Sequence, residues 1–414
     1  SRMEREKHVC FRVILGFFVW NNKKFRFLLT KTIFYCTVTI IRNEVRAFHH
    51  RKAGKTEMKI TKVEIEKFSA PLEEPFRVAF GLIEDSDSWT VKIHTDEGIC
   101  GVGSAAPIGF VTGETMETCY LVMKMFAEAF IGKDPMDIAG AHELMDHIIY
   151  GNGSAKCAFD IALYDIMGKK KGLPVYRLLG GTDPVVHNDI TIGINPPRKM
   201  QQDAEKFVFR KGFDILKVKV GISLEDDIEA LTLIRQSVGD KVRIRIDANQ
   251  GYNVETALRA LKEFEKLGVD AAEQCLPWWD FDGAAELMKR NTTSVKLMLD
   301  ESIHTPHDAR RAAKLGCADY FNIKLMKCGG LYYGAQIADI AEEAGLGCMV
   351  GCMQENKISI VAGVSLVAAK KAIVEADCDS FMFYKGEDDG IQGGLTREGG
   401  IFTLLEKPGL GIEL

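Results

Sequence analysis

The chain has 414 residues, 46% of them hydrophobic and 27% charged. That composition excludes disordered and fibrous classes and leaves room for two or three domains, or one large barrel with a companion. The net charge of −5 hides an asymmetry: residues 1–57 carry 13 Lys/Arg against 4 Asp/Glu, the rest 40 against 54. A body this acidic argues against sequence-independent nucleic-acid binding, which needs a positive field.

Residues 1–57 are aromatic and basic, and the texture changes at Met58. The apolar run Val13–Trp20 is followed by NNKK rather than by a small-residue cleavage site, which speaks against a signal peptide. Lys31 splits the second apolar run before it reaches the roughly 18 residues a membrane helix needs, so no membrane partner is expected. We read 1–57 as an upstream extension or misplaced start outside the fold, with Met58 the working N-terminus; an organelle transit peptide is the other reading.

From Met58 the pattern is strand, turn, strand, with ITKVEIEKFSAPL and SWTVKIHTDEGICGVGSA alternating polar and apolar residues. Residues 113–180 are helical in pattern, opening on a threonine at a cap position. Together, residues 58–182 make a small α+β unit. After Asp183 short β-rich runs alternate with amphipathic helices of 10–15 residues through residue 389, the signature of βαβ units and a parallel sheet. Eight such strands close naturally into a TIM-like barrel. A doubly wound open sheet is the alternative, but no G-x-G-x-x-G follows any strand, which leaves no dinucleotide site. Eleven scattered cysteines, without C-x-x-C or zinc spacing, read as small buried hydrophobes in a reducing cytoplasm. A disulfide framework or thiolate metal site is the minor alternative.

The chemistry lies at the strand ends. Lys217 and Lys219, Asp247, Glu273, Asp300, Lys324, and Asp377 with Asp379 each close a strand, and the intervals from Lys219 to Lys324 run 28, 26, 27 and 24 residues. One ionisable group per βα unit places them in a ring at the carboxyl ends of the strands, the face where active sites of this fold lie. Asp247, Glu273 and Asp300 come from consecutive units; three converging carboxylates repel unless a cation joins them. A hard divalent ion fits, Mg²⁺ first and Mn²⁺ as substitute. Lys217 and Lys219 share one face of a strand, and proximity to each other and to a metal is expected to lower their pKa toward useful base strength. Lys324 approaches from the far side, whereas Lys327 reads as a solvated loop charge. Two opposed bases across a metal that holds a carboxylate imply proton abstraction from the carbon α to it, the metal stabilising the enediolate. Asp377 and Asp379 face the same way, and two like charges so close are best matched by a ligand's ammonium.

The motifs LKVKVG, IDANQG, EQ, LDES and NIKLMKCGG, with AKCAFDIALYDIMGKKKGLPVYRLLGG at 155–181, resemble the enolase superfamily, muconate-lactonizing subgroup. The resemblance covers residues 58–414. It implies a (β/α)₇β barrel with an α+β cap completed by the final segment, about 390–414. By position Asp247, Glu273 and Asp300 take the Mg²⁺-ligand roles, and Lys219 and Lys324 the opposed acid/base roles, with Lys217 assisting. Within the subgroup the chain is most similar to dipeptide epimerases, including Ala-Glu epimerases. This likeness puts Met353 and Glu355 of GCMQEN, and Asp377 and Asp379, at the substrate. Three departures are visible: Phe159 where an aliphatic residue is usual, EQCLP where EQP is usual, and Gly81 where glutamate-selecting members carry an Arg in a mobile loop beginning near PFRVAFG (75–81). Arg77 is a poor substitute, so a neutral or hydrophobic C-terminal residue is expected. A muconate cycloisomerase or o-succinylbenzoate synthase-type enzyme is the alternative, and a non-catalytic barrel the remote one. Relatives suggest a homo-oligomer.

Overall fold

The structure, a computed structural model, describes residues 58–79, 81–387 and 389–413. The expectation for residues 1–57 lies outside them. Met58–Leu414 forms one compact unit, and no helix among the described residues is long and apolar enough to cross a membrane.

The chain opens with β1 (Ile60–Val78), β2 (Gly81–Thr95) and β3 (Cys100–Ala105) in an antiparallel sheet of that order. The hairpin runs further than the sequence suggests. A register shift between Pro71 and Phe76 lets pairing resume at Phe76–Ile83 and continue to Val78–Gly81, so Phe76–Val78 lies in a strand rather than a loop. Its position is fixed from the barrel side, where the Ile194 N–H donates to Arg77 O at 2.9 Å.

Three helices cover this sheet: α1 (Met116–Phe130), α2 (Ile138–Ile148) and α3 (Gly153–Lys171). Thr115 caps α1 as its sequence position predicts, its hydroxyl accepting from the Thr118 N–H. The α3 helix is buried along most of its length, and β3 admits it closely: a Cβ on Gly103 would lie 1.9 Å from Ala158 O. Phe159 fits here because Phe126 and Phe130 meet its ring edge-on at 5.5 and 5.0 Å.

After β4 (Val185–His187), the strands β5 (Ile190–Ile192), β6 (Ile215–Lys219), β7 (Arg243–Asp247), β8 (Val269–Glu273), β9 (Lys296–Leu299), β10 (Tyr320–Lys324), β11 (Gly347–Gly351) and β12 (Ile373–Asp377) lie in sequence order in one sheet, parallel throughout. A helix follows each of β5 to β11, the last spanning Lys357–Val367, and only 3₁₀ turns follow β12. The expected (β/α)₇β barrel is present. Its ends meet where the Asp189 N–H donates to Ala376 O at 3.1 Å. Finally β13 (Leu395–Glu398) and β14 (Ile401–Leu404) pair antiparallel and add to β4, and Leu410 N–H reaches Asp165 of α3 at 2.8 Å. The nine described cysteines are unpaired, seven of them buried.

Candidate active site

Strand register sets the ring. Lys219 pairs with Asp247, Asp247 with Glu273, and Gly351 with both Lys324 and Asp377, so the tips share one level. Asp300 follows β9 by one residue. The backbone there is forced: Asn249, Gln250 and Gln274, just past β7 and β8, have φ of 38°, 68° and 35°, rare for residues with a side chain. Hydrogen bonds hold those turns. Asp247 Oδ1 accepts from the Asn249 N–H at 2.9 Å, and Gln274 Oε1 accepts from the Asp300 N–H at 2.8 Å. Gln274 Nε2 donates to Leu276 O, so the turn at EQCLP is stitched from within.

The three predicted carboxylates converge: one oxygen from each of Asp247, Glu273 and Asp300 lies within 4.8 Å of the others, all three buried. Lys217 Nζ sits between strands, 2.7 Å from Asp377 Oδ2, 2.8 Å from Glu273 Oε2 and 3.2 Å from Asp247 Oδ2. Lys219 Nζ donates to Asp247 Oδ2 at 2.5 Å and to Asn249 Oδ1 at 3.1 Å. From the other side Lys324 Nζ lies 2.7 Å from Asp300 Oδ2.

Electrostatics decide what the triad can bind. Burial opposes ionisation of Asp300, but the ammonium groups of Lys324 and Lys327 overcome it and hold the carboxyl well below the usual range. Asp247 is lowered against burial by Lys219 and Lys217. Glu273 goes the other way, pushed up to about 8 by burial and by Asp247. Glu273 Oε2 and Asp300 Oδ2 accept no well-directed hydrogen bond, although ammonium groups stand beside them. The donor set is all oxygen and buried, and two of its oxygens accept no directed hydrogen bond, which fits a hard divalent cation.

Two sequence expectations need correction. Lys217 is not lowered: burial disfavours its charge, yet Asp377, Glu273 and Asp247 outweigh burial and raise its pKa well above that of a free lysine. Lys324 is raised likewise, Asp300 prevailing over burial. The carboxylates around each lysine matter more than the neighbouring ammonium. Second, Lys327 is no solvated loop charge. Its side chain is fully buried and its Nζ lies 2.6 Å from Asp300 Oδ1.

Lys217, Lys219, Lys324, Asp377 and Asp379 line one cavity. At one end of it, Thr191 on β5 orients the aspartate pair, its N–H donating to Asp379 Oδ2 at 2.7 Å and its hydroxyl to Asp377 Oδ1 at 3.2 Å. Burial and the Asp377 charge push Asp379 up to about 6. Phe76 and Val78 from the β1 tip, Ile108 and Val111 from the turn after β3, and Phe383 supply an apolar wall. Phe76 and Phe383 stack at a tilt, centroids 5.1 Å apart, and His304 Nε2 holds Val111 O at 3.1 Å. Met353 lines the cavity as expected. Glu355 is not among its lining residues; its Oε1 turns back to accept from the Met353 N–H at 2.9 Å and shapes the loop that carries Met353. A Cβ on Gly81 would meet open space, and Arg77 lines a neighbouring cavity rather than this one. Thr191, Asn249 and Glu301 also line the site, and no spacing signal in the sequence singled them out.

The sequence matches two family descriptions, the mandelate racemase / muconate lactonizing enzyme N-terminal domain over residues 60–180 and the enolase C-terminal domain-like family over residues 199–414. The chain belongs to the mandelate racemase / muconate lactonizing enzyme family of the enolase superfamily. Among individual proteins, it is 40% identical to the hydrophobic dipeptide epimerase of Enterococcus faecalis, over 86% of this chain and 99% of that one. It is 38% identical to the L-Ala-D/L-Glu epimerase of Clostridium acetobutylicum, again over 86% and 99%. A crystal structure of the dipeptide epimerase from Enterococcus faecalis complexed with Mg and L-Leu-L-Tyr superposes with a TM-score of 0.83, covering 86% of this chain and all of that one.

Proposed function

We propose that this chain is a Mg²⁺-dependent dipeptide epimerase, moving a proton on and off the carbon α to the C-terminal carboxylate, with a preference for apolar residues. The observation that carries the reading is a single cavity lined by Lys219, Lys324 and the Asp377/Asp379 pair, whose lysines are in contact with the carboxylate triad. Asp247, Glu273 and Asp300 would hold the cation, which when bound offsets negative charge building on the substrate carboxylate as the α-proton leaves. Lys219 and Lys324 come from β6 and β10 and serve opposite faces of that carbon: one accepts the proton as an amine and the other delivers one as an ammonium. Lys217 bridges the metal-ligand group and Asp377 and keeps the two charge clusters apart. Asp377 and Asp379 hold the substrate's ammonium.

The apolar wall of Phe76, Val78, Ile108, Val111 and Phe383, with open space at Gly81, supports hydrophobic over glutamate side chains. A cycloisomerase or succinylbenzoate synthase offers no cation for the aspartate pair, and a binding-only barrel has no use for two opposed lysines. We place the enzyme in the cytoplasm as a homo-oligomer without nucleic-acid or membrane partners; the nine described cysteines, unpaired and mostly buried, suit a reducing compartment. Incubating mixed L,L-dipeptides with enzyme and Mg²⁺ in D₂O identifies the substrates as those gaining one mass unit. No exchange in any dipeptide refutes the assignment.

A further inference from the structure

Lys327 has no part in the chemistry above, yet it is the most completely enclosed lysine of the barrel mouth, its side chain 0% exposed. The one-turn helix Leu325–Cys328 after Lys324 folds the chain back, and Gly329 and Gly330 release it at φ of 89° and 114°, values that strain any residue with a Cβ. The cap presses on the same turn: a Cβ on Gly153, at the start of α3, would lie 2.4 Å from the carbonyl oxygens of both Met326 and Lys327. The turn can therefore sit in one place only, and it aims the Lys327 side chain beneath the carboxylate triad.

There Nζ donates to Asp300 Oδ1 at 2.6 Å, to Asn322 O at 3.1 Å, and to the Asp300 backbone carbonyl. An ammonium has three N–H groups, and all three are used. None is left for a substrate, and Lys327 does not line the cavity. What it leaves is directional: with Oδ1 taken, Asp300 presents only Oδ2 toward Lys324 and the triad. Asn322, whose carbonyl Lys327 engages, donates its own Nδ2 to Glu273 Oε1 at 2.6 Å. Glu273 too is left with one oxygen facing inward.

We propose that Lys327 is a positioning residue for the divalent-cation site, holding Asp300 directly, and Glu273 through Asn322, as ligands that offer one oxygen each. The proposal rests on the reading of Asp247, Glu273 and Asp300 as the cation's ligands. Removing Lys327 makes the site more negative, which favours a cation, but frees the Asp300 carboxylate to rotate in a dry site. Loss of outer partners of ligating carboxylates costs roughly 10–100-fold in metal affinity, and orientation governs here because Lys324 can turn onto the released oxygen.

The test titrates chelator-stripped full-length protein with Mn²⁺ and follows free Mn²⁺ by electron paramagnetic resonance. Tight binding by the native chain, lost in Asp247→Asn, establishes the cation site; failure of that control removes the site itself rather than the role of Lys327. Lys327→Met is then expected to raise the Mn²⁺ Kd roughly 10–100-fold in a protein that still melts cooperatively. A native or tighter Kd overturns the proposal, and so does a lowered melting temperature with an unchanged Kd, which makes Lys327 a packing residue only. Lys327→Arg keeps the charge, but its planar fork does not meet the same three acceptors. It carries the test if the Met variant does not fold: a Kd raised roughly 10-fold supports the proposal, and a native Kd overturns it.

Discussion

Asp379→Asn is the sharpest perturbation of substrate recognition, because it removes one charge and almost no volume. Asp379 is buried, and its Oδ2 is already committed to the Thr191 N–H at 2.7 Å. An asparagine carbonyl can keep that bond, which leaves the amide NH₂ in place of Oδ1, beside the Cys352 thiol at the cavity wall. The variant therefore exchanges a charge-assisted hydrogen bond to the dipeptide's ammonium for a donor facing a donor. Hydrogen bonds to charged groups are worth about 1.5–3 kcal/mol, and a desolvated site puts this one at the upper end. A loss of about 2–3 kcal/mol of transition-state binding is roughly a 30–160-fold fall in kcat/KM. N-acetylation of the dipeptide removes the same partner from the other side. Measuring kcat/KM for both proteins with both substrates closes a thermodynamic cycle. Each single change should cost roughly 100-fold, and the second change should add little once the first is made. An N-acetylated substrate processed as fast as the free dipeptide, or an Asn penalty equal for both substrates, refutes the ammonium site.

Lys219→Ala and Lys324→Ala should each abolish epimerisation yet retain α-proton exchange with D₂O from one stereoisomer, the spared isomer differing between the two; equal exchange from both isomers in either variant contradicts the two-base scheme. Excess chelator should abolish turnover and Mg²⁺ restore it, and Asp247→Asn should be inactive with its circular dichroism unchanged; full activity in chelator removes the metal assignment. With Asp379 raised to about 6, kcat/KM should fall as pH drops through that value, because the protonated carboxyl no longer attracts an ammonium. That acid limb should vanish in Asp379→Asn, and an identical limb in both proteins assigns it to another group.

The barrel was legible in the sequence because its chemistry repeats with its architecture. One ionisable residue stands at or just past the end of each of the strands from β6 to β10, and the interval between them is the length of a βα unit, so spacing alone put Asp247, Glu273 and Asp300 together. Lys327 was not legible, since KLMK after a strand has the composition of a loop and only the fold-back through Gly329 and Gly330 buries it. The direction of the Lys217 shift was missed for a related reason. Sequence shows its neighbour Lys219, two residues away, but not Asp377, which arrives from the far side of the ring. The hairpin tip escaped because Pro71 interrupts an alternation that resumes after a register shift. Thr191 and Asn249 are uncharged and contribute by position rather than by type, and Glu301 directly follows Asp300, so it adds no strand end of its own to the spacing.

The first and last barrel strands are joined by few contacts, and two of them belong to Thr191, which holds Asp379 and Asp377. A nascent chain that has completed β10 already owns the whole carboxylate triad and both opposed lysines, yet it has nowhere to seat an ammonium. In the proposed function that subsite comes into being only when β12 is laid beside β5, so the hydrogen bonds that shut the cylinder are also those that orient the two aspartates. For the same reason, dividing the gene between β5 and β12 would yield fragments whose recombined activity reports seam closure directly.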